Sequence, residues 1–286
     1  MATELSTYKR KCIREGTGLY CPNDGATVTI DLTGSVYYED NSAHQVVYEI
    51  DKCFVLGHAF DDVLGRIVYP CLLSMKEHEQ CQLVIDCEQL KLLPLEELAS
   101  YAIPIGANVC QMVITVELKS FTRAKEVWAL SVEERAVAAS QHKSLGTERF
   151  SAELHRAACF HYAKAVKYLV PIFLPGVEVP KEIEELKKVC YLNLAACQLK
   201  LQQYTSVEGN CKKVLSVDQT NVKALYRCSS ALLHMNRIDE AKVLLQKARE
   251  TEPRNGAVLS LLREAVQKLK EHDARMARAL QPMFSS

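Results

Sequence analysis

Two segments near the C-terminus superimpose at a fixed spacing of 34 residues. Placing YLNLAACQLKLQQYTSVEGNCKKVLSVDQ over LYRCSSALLHMNRIDEAKVLLQKARETEP sets Asn193 on Arg227, Leu201 on Met235, Tyr204 on Ile238 and Cys211 on Leu245. Each segment reads as two amphipathic helices with a polar break between them. A unit this short cannot bury its apolar face alone, and stacked neighbours can, so the period commits this part of the chain to a helical solenoid. Extended backward, the pattern finds Gly146 with Ala158, Tyr162 and Ala165 at 12, 16 and 19 residues beyond it. Small residues there let the two helices of a unit approach, and the aromatic fills the gap to the next. The reading gives three repeats, near 139–185, 188–221 and 222–255, with VPIFLPGVEVPKE inserted after the first. A long polar-faced helix over 256–282 closes the end of the stack.

The first part of the chain has a different period. ATVTIDLTG (Ala26 to Gly34) alternates and ends in a turn-forming glycine, and QVVYEI, EQCQLVID and VCQMVITVELKSF read as further strands. PNDGA is a turn signal, and DDVLGRI is a short helix. The expectation is an α+β chain: an antiparallel sheet with one short helix over 1–124, then an all-α domain of three helix pairs plus a capping helix over 128–286. Ser131 is placed to cap the first of these helices, with Glu134 three residues on completing a capping box.

Composition narrows the function. At 286 residues the chain suits about two domains. Lys+Arg and Asp+Glu are 35 each, so the basic excess of a general nucleic-acid binder is missing and any anion binding must be local. The most apolar run, YLVPIFLPGV, is short and broken by Pro171 and Pro175, so no membrane partner is expected. The start, MATELSTYKRKCIREG, has no apolar signal core. The 12 cysteines form no CxxC pair and no zinc-ligand spacing. They read as free thiols of a reducing compartment, the cytoplasm with access to the nucleus. Cys190, Cys197, Cys211 and Cys228 fall in helical patterns and should pack as small apolar residues.

Three stacked helix pairs line a concave groove with their first helices. The groove candidates are Lys143, Asn193, Lys223 and Arg227. Lys223 and Arg227 alone, four apart on one face, would be a solvated edge. At repeat positions beneath Asn193 they become half of an anion site. The 34-residue repeat resembles the tetratricopeptide (TPR) repeat. Chaperone-binding TPR domains hold a peptide's C-terminal carboxylate in a clamp of a Lys and an Asn four apart, a second Asn, and a Lys and an Arg four apart. The resemblance maps these roles onto Lys143, Thr147, Asn193, Lys223 and Arg227. Thr147 departs from the pattern, which wants Asn; it can donate one hydrogen bond but reaches less far. The implied partner is the acidic C-terminal tail of heat-shock protein 90, together with unknown client proteins.

KRKCIREGTGLYCPNDGATVTIDLTG, FVLG and IPIGANVCQMVITVEL resemble FKBP-type immunophilins, and VWALSVEER and LQPMF resemble the junction and end of those that carry a C-terminal TPR domain, in particular the divergent FKBP-like co-chaperones. Active members twist X–Pro bonds in an aromatic pocket floored by a Trp, against an uncatalysed barrier of ~18–20 kcal/mol. Here Leu32 stands where the strand Tyr is expected, YYEDNSAHQ replaces the FDSS segment, and Trp128 lies outside the domain. Leu32, Phe54, Tyr69 and Tyr101 are the remnants of that pocket. The reading is a non-enzymatic adaptor with no catalytic residues, no metal and no cofactor. The alternative is an active prolyl isomerase with an atypical pocket, and a third reading is a scaffold for another acidic peptide. No GxSxG, P-loop or GxGxxG occurs. Asp61 and Asp62 are adjacent and point apart, so they do not suggest paired-carboxylate catalysis. His142, His155 and His161 share no helix face at metal-pair spacing and read as groove or surface histidines.

Overall fold

The computed structural model describes residues 8–40, 42–58, 63–90, 109–172 and 179–280. It divides into two compact units, 1–129 and 130–286. The first holds β1 (Lys9–Arg14), β2 (Thr27–Tyr38), β3 (Ala43–Val55), α1 (Val63–Leu72), β4 (Gln80–Asp86), α2 (Cys87–Leu90) and β5 (Val109–Thr122). The strands form one sheet in the order β1-β4-β5-β2-β3, with every ladder antiparallel. Alternation sends Val28, Ile30, Leu32 and Val36 of β2, Cys81, Leu83 and Ile85 of β4, and Met112, Ile114, Val116 and Leu118 of β5 to one buried face. Ile114 of the central strand lies opposite both Leu83 and Gly34. Ile67, Val68, Cys71 and Leu72 of α1 close the same core.

β1 carries no period-two signal. All six of its residues are exposed, because it is an edge strand with little core to cover. Strand pairing with β4, rather than burial, places it. The tight turn before β2 is built on Gly25, at φ 89°, where a side chain would be strained. The short 3₁₀ turn Val127–Ala129, with Trp128 at its centre, falls at the junction of the two units. Trp128 is 78% exposed, so it floors no pocket.

The second unit is a succession of antiparallel helices: α3 (Val132–Ser151), α4 (His155–Leu169), α5 (Lys181–Lys200), α6 (Tyr204–Leu215), α7 (Val222–His234), α8 (Ile238–Thr251) and α9 (Gly256–Leu280). Each packs on the next, and α5 also touches both α3 and α7. This is the α+β layout of a sheet followed by three helix pairs and a closing helix. Ser131 and Glu134 form the capping box: the Glu134 amide donates to Ser131 Oγ at 3.1 Å, and the Ser131 amide to Glu134 Oε2 at 2.9 Å. α3 and α5 begin at 132 and 181, upstream of the 139 and 188 repeat starts, so the first helices of the first two pairs have extra turns.

The repeat is visible in the backbone itself. Gln202 and Asn236, 34 residues apart, both turn left-handed at φ 58° and 60°, and Glu153 does so at 61° in the first pair. Each follows its helix as the C-terminal reversal that glycine usually supplies. Gly146, Ala195 and Ser229 fall at equivalent places and are buried, which is the closely packed small position of each pair. Cys190, Cys197, Cys211 and Cys228 are buried as small apolar residues.

The histidine expectation fails for two of the three. His142 and His161 are only 2% and 1% exposed. Their Nδ1 atoms are 3.2 Å apart and the rings stack with centroids 5.5 Å apart. They sit on α3 and α4, and helix packing brings together two residues 19 apart that no single-helix spacing could pair. His155 is half-buried against Phe150.

Candidate groove on the first helices of the repeats

Lys143 and Thr147 stand one turn apart on α3, Asn193 on α5, and Lys223 and Arg227 one turn apart on α7. These are the first helices of the three pairs. The deepest point of the arrangement is Tyr162 of α4, 2% exposed. Gly146 allows it: a Cβ at 146 would meet the Tyr162 ring at 3.0 Å. Thr147 Oγ1 donates to the Lys143 carbonyl at 2.9 Å and lies 3.0 Å from the Tyr162 hydroxyl. A hydroxyl has one proton, so Thr147 has spent its own on the carbonyl and Tyr162 must donate to Thr147. The bonds run from Tyr162 through Thr147 to the Lys143 backbone. Burial raises the Tyr162 pKa, and Thr147 and Asn193 offset part of the rise.

Thr147 is exposed, and its hydroxyl donates within its own helix, to the Lys143 carbonyl. Its structural part is to fix the Tyr162 hydroxyl. Tyr162 is the residue that sequence reading undervalued. Its place 16 residues after Gly146 marked it as a packing aromatic, and nothing in the period told that its hydroxyl meets Thr147.

Arg227 is half-buried and donates from Nη1 to the Leu192 carbonyl at 2.8 Å. That bond holds the guanidinium beside Asn193, the next residue. Burial lowers its pKa, and Cys211, Cys197 and Tyr162 act in the opposite direction; the group stays charged. One of its five N–H donors is used, leaving the rest of the fork for a planar anion. Lys143 is half-buried, and its charge is felt at Cys190, one turn before Asn193, whose thiol burial pushes up to about 12. Lys223 is exposed at the edge. Among the described residues, no acidic side chain pairs with Lys143, Lys223 or Arg227. Neighbouring cations do find such partners: Lys188 bridges Glu185 and Asp218, and Arg237 bridges Glu208 and Glu240. Three cations on the first helices thus lack an internal counter-charge.

The four residues read as pocket remnants fare differently. Leu32 is 1% exposed and belongs to the core of the sheet, so it lines no opening. Phe54 and Tyr69 are partly buried against that core. Tyr69 donates its hydroxyl to Asp24 Oδ1 at 2.8 Å, tying α1 to the PNDGA turn. Tyr101 lies outside the described residues, as do Asp61 and Asp62. Among the described residues, no cluster of three His, Cys, Asp or Glu could hold a metal ion, and no helix is long and apolar enough to cross a membrane.

The tetratricopeptide repeat family model matches residues 199–265. Peptidyl-prolyl cis-trans isomerase FKBP4 of Mus musculus is 29% identical over 280 residues, covering 96% of this chain and 58% of the relative. The FK506-binding protein-like of Rattus norvegicus is 30% identical over 222 residues, covering 77% and 56%. Among solved structures, the C-terminal TPR-containing domain of a Plasmodium falciparum FK506-binding protein is 29% identical with a TM-score of 0.48, covering 52% of this chain and 99% of that domain. The chain spans a little over half the length of the curated relatives it matches. Over that span it is similar to FKBP-type immunophilins joined to a TPR domain.

Proposed function

We propose that this chain is a TPR co-chaperone or adaptor whose groove takes the acidic C-terminal tail of heat-shock protein 90. The observation that carries this reading is the set of uncompensated cations, Lys143, Lys223 and Arg227, arranged around Asn193. A terminal carboxylate with an acidic side chain beside it supplies the missing charge. Arg227 takes the carboxylate with its free fork, Asn193 donates an amide N–H, and Lys143 and Lys223 act as point charges. Thr147 positions the Tyr162 hydroxyl. The cytoplasm, with access to the nucleus, is the compartment this reading requires. The test is calorimetric titration of a tail peptide with a free C-terminus against its amidated form. Amidation should weaken binding at least tenfold, and Lys223→Ala, at an exposed position, should weaken the free-acid peptide several-fold. Equal affinity for both peptides would sink the clamp.

The first unit is proposed to be catalytically silent and to serve in contacts with clients. Leu32 is locked in the core, the Tyr69 hydroxyl is engaged by Asp24, and Trp128 is on the surface. None of the three is disposed to desolvate and twist a prolyl amide. Mouse FKBP4 carries an isomerase name, so the rival reading has a direct check. A protease-coupled assay with a proline peptide should give no rate above the uncatalysed one; turnover lost on Tyr69→Phe would establish the isomerase instead.

A further inference from the structure

The first unit carries a line of three thiols that neither the groove nor a prolyl pocket uses. Cys71, in the last turn of α1, and Cys81, in β4, are 1% and 0% exposed, with Sγ atoms 3.2 Å apart. Met75 Sδ closes the group at 3.6 and 3.7 Å. Cys12 of β1 is directly opposite Cys81 in the antiparallel ladder, and Cys12 is exposed. Opposite residues of such a ladder share a face, with Cα atoms about 4.5–5.5 Å apart, inside the span a disulfide bridges. The face is identified independently by Arg10, two residues earlier on β1. Its guanidinium reaches Ser74 and Glu79, on the α1 side of the sheet. An exposed thiol, a buried thiol and a second buried thiol therefore follow one another from surface to core.

We propose that this array is an oxidation site in which Cys12 meets a hydroperoxide and the oxidation is stored as a Cys71–Cys81 disulfide. In the first step the Cys12 sulfur attacks the peroxide O–O bond, giving the Cys12 sulfenic acid and releasing an alcohol, or water from hydrogen peroxide. Cys81 then attacks the sulfenic sulfur, forming a Cys12–Cys81 disulfide and releasing water. Cys71 attacks Cys81, closes the Cys71–Cys81 disulfide and returns Cys12 as a thiol, which takes the Cys71 proton. Two electrons leave the protein for each peroxide reduced. The electrostatics favour this order. The hydrogen bond from Cys71 lowers the Cys81 pKa, with the Arg10 guanidinium adding to it. Hydrogen bonding to Cys81 and burial hold Cys71 protonated until Cys81 is consumed. Burial shields the pair from direct attack, which is why the exposed Cys12 is needed as the entry point.

The experiment treats the full chain with stoichiometric hydrogen peroxide, quenches with an alkylating agent and maps peptides without reduction. The expected product is the Cys71–Cys81 cross-link. It should form at least tenfold more slowly in Cys12→Ser, a surface change that leaves the core intact. In Cys81→Ser, a diketone probe should trap the sulfenic acid at Cys12. The inference is overturned if Cys12 oxidises without the buried cross-link appearing, if no cysteine of the three is oxidised, or if Cys12→Ser leaves the cross-linking rate unchanged.

Discussion

Replacing Arg227 by Ala should weaken binding of a free-acid tail peptide by about 10- to 100-fold while leaving both units folded. The magnitude follows from charge-assisted hydrogen bonds worth roughly 1.5–3 kcal/mol each, at about 1.4 kcal/mol per tenfold in affinity. Arg227 is placed to make such bonds because its Nη1 bond to the Leu192 carbonyl holds the guanidinium beside Asn193. The fold tolerates the loss. The Leu192 carbonyl lies within α5, where it keeps its helical partner, so no buried acceptor is stranded. Arg227→Lys separates charge from geometry: it keeps the cation, loses the fork, and should fall between wild type and Ala. Calorimetry at fixed ionic strength reads the affinities, and a thermal melt reads the fold. An affinity change of less than twofold on Arg227→Ala would mean that the groove does not bind through this residue.

Replacing Ile114 by Ala should unfold the first unit well before the second. Ile114 is 0% exposed in the central strand, opposite Leu83 and Gly34, so the lost methyls leave a cavity that neither neighbour can fill. Such truncations cost about 2–5 kcal/mol. For a domain of this size that lowers the midpoint by about 10 °C or more. Each unit has its own core: the sheet cluster runs from Ala26 to Leu118, and the helical clusters are drawn from residues beyond 130. Calorimetry should therefore show a transition that shifts and one that stays. Near-equal shifts of both would mean that the units unfold as one. Tail-peptide affinity of the variant at a temperature below both transitions should equal that of the wild type, because the groove residues all lie in the second unit.

Periodicity was readable where burial imposes it. Val28, Ile30 and Leu32 alternate because one face of β2 is core, and Ser131 with Glu134 is a local device that needs no distant partner. β1 escaped the same reading because an exposed edge strand has no buried face to imprint a period. His142 and His161 were misplaced for a related reason: a polar residue type says surface, and only the α3–α4 packing shows that each imidazole buries the other.

From the sequence alone came the α+β layout, the 34-residue period, and the register that brings Lys143, Asn193, Lys223 and Arg227 to the first helices of three pairs. Those depend on spacing along the chain, which hydrophobic burial turns directly into helices, strands and faces. The tertiary structure decided which donors remain free. It set the Tyr162 hydroxyl against Thr147 and held Arg227 on Leu192. It also set Cys12, Cys81 and Cys71 in one line. Each of these joins residues separated by between 10 and 69 positions, and a hydrogen bond or sulfur contact depends on ångström-scale placement across packed elements that no repeat length encodes.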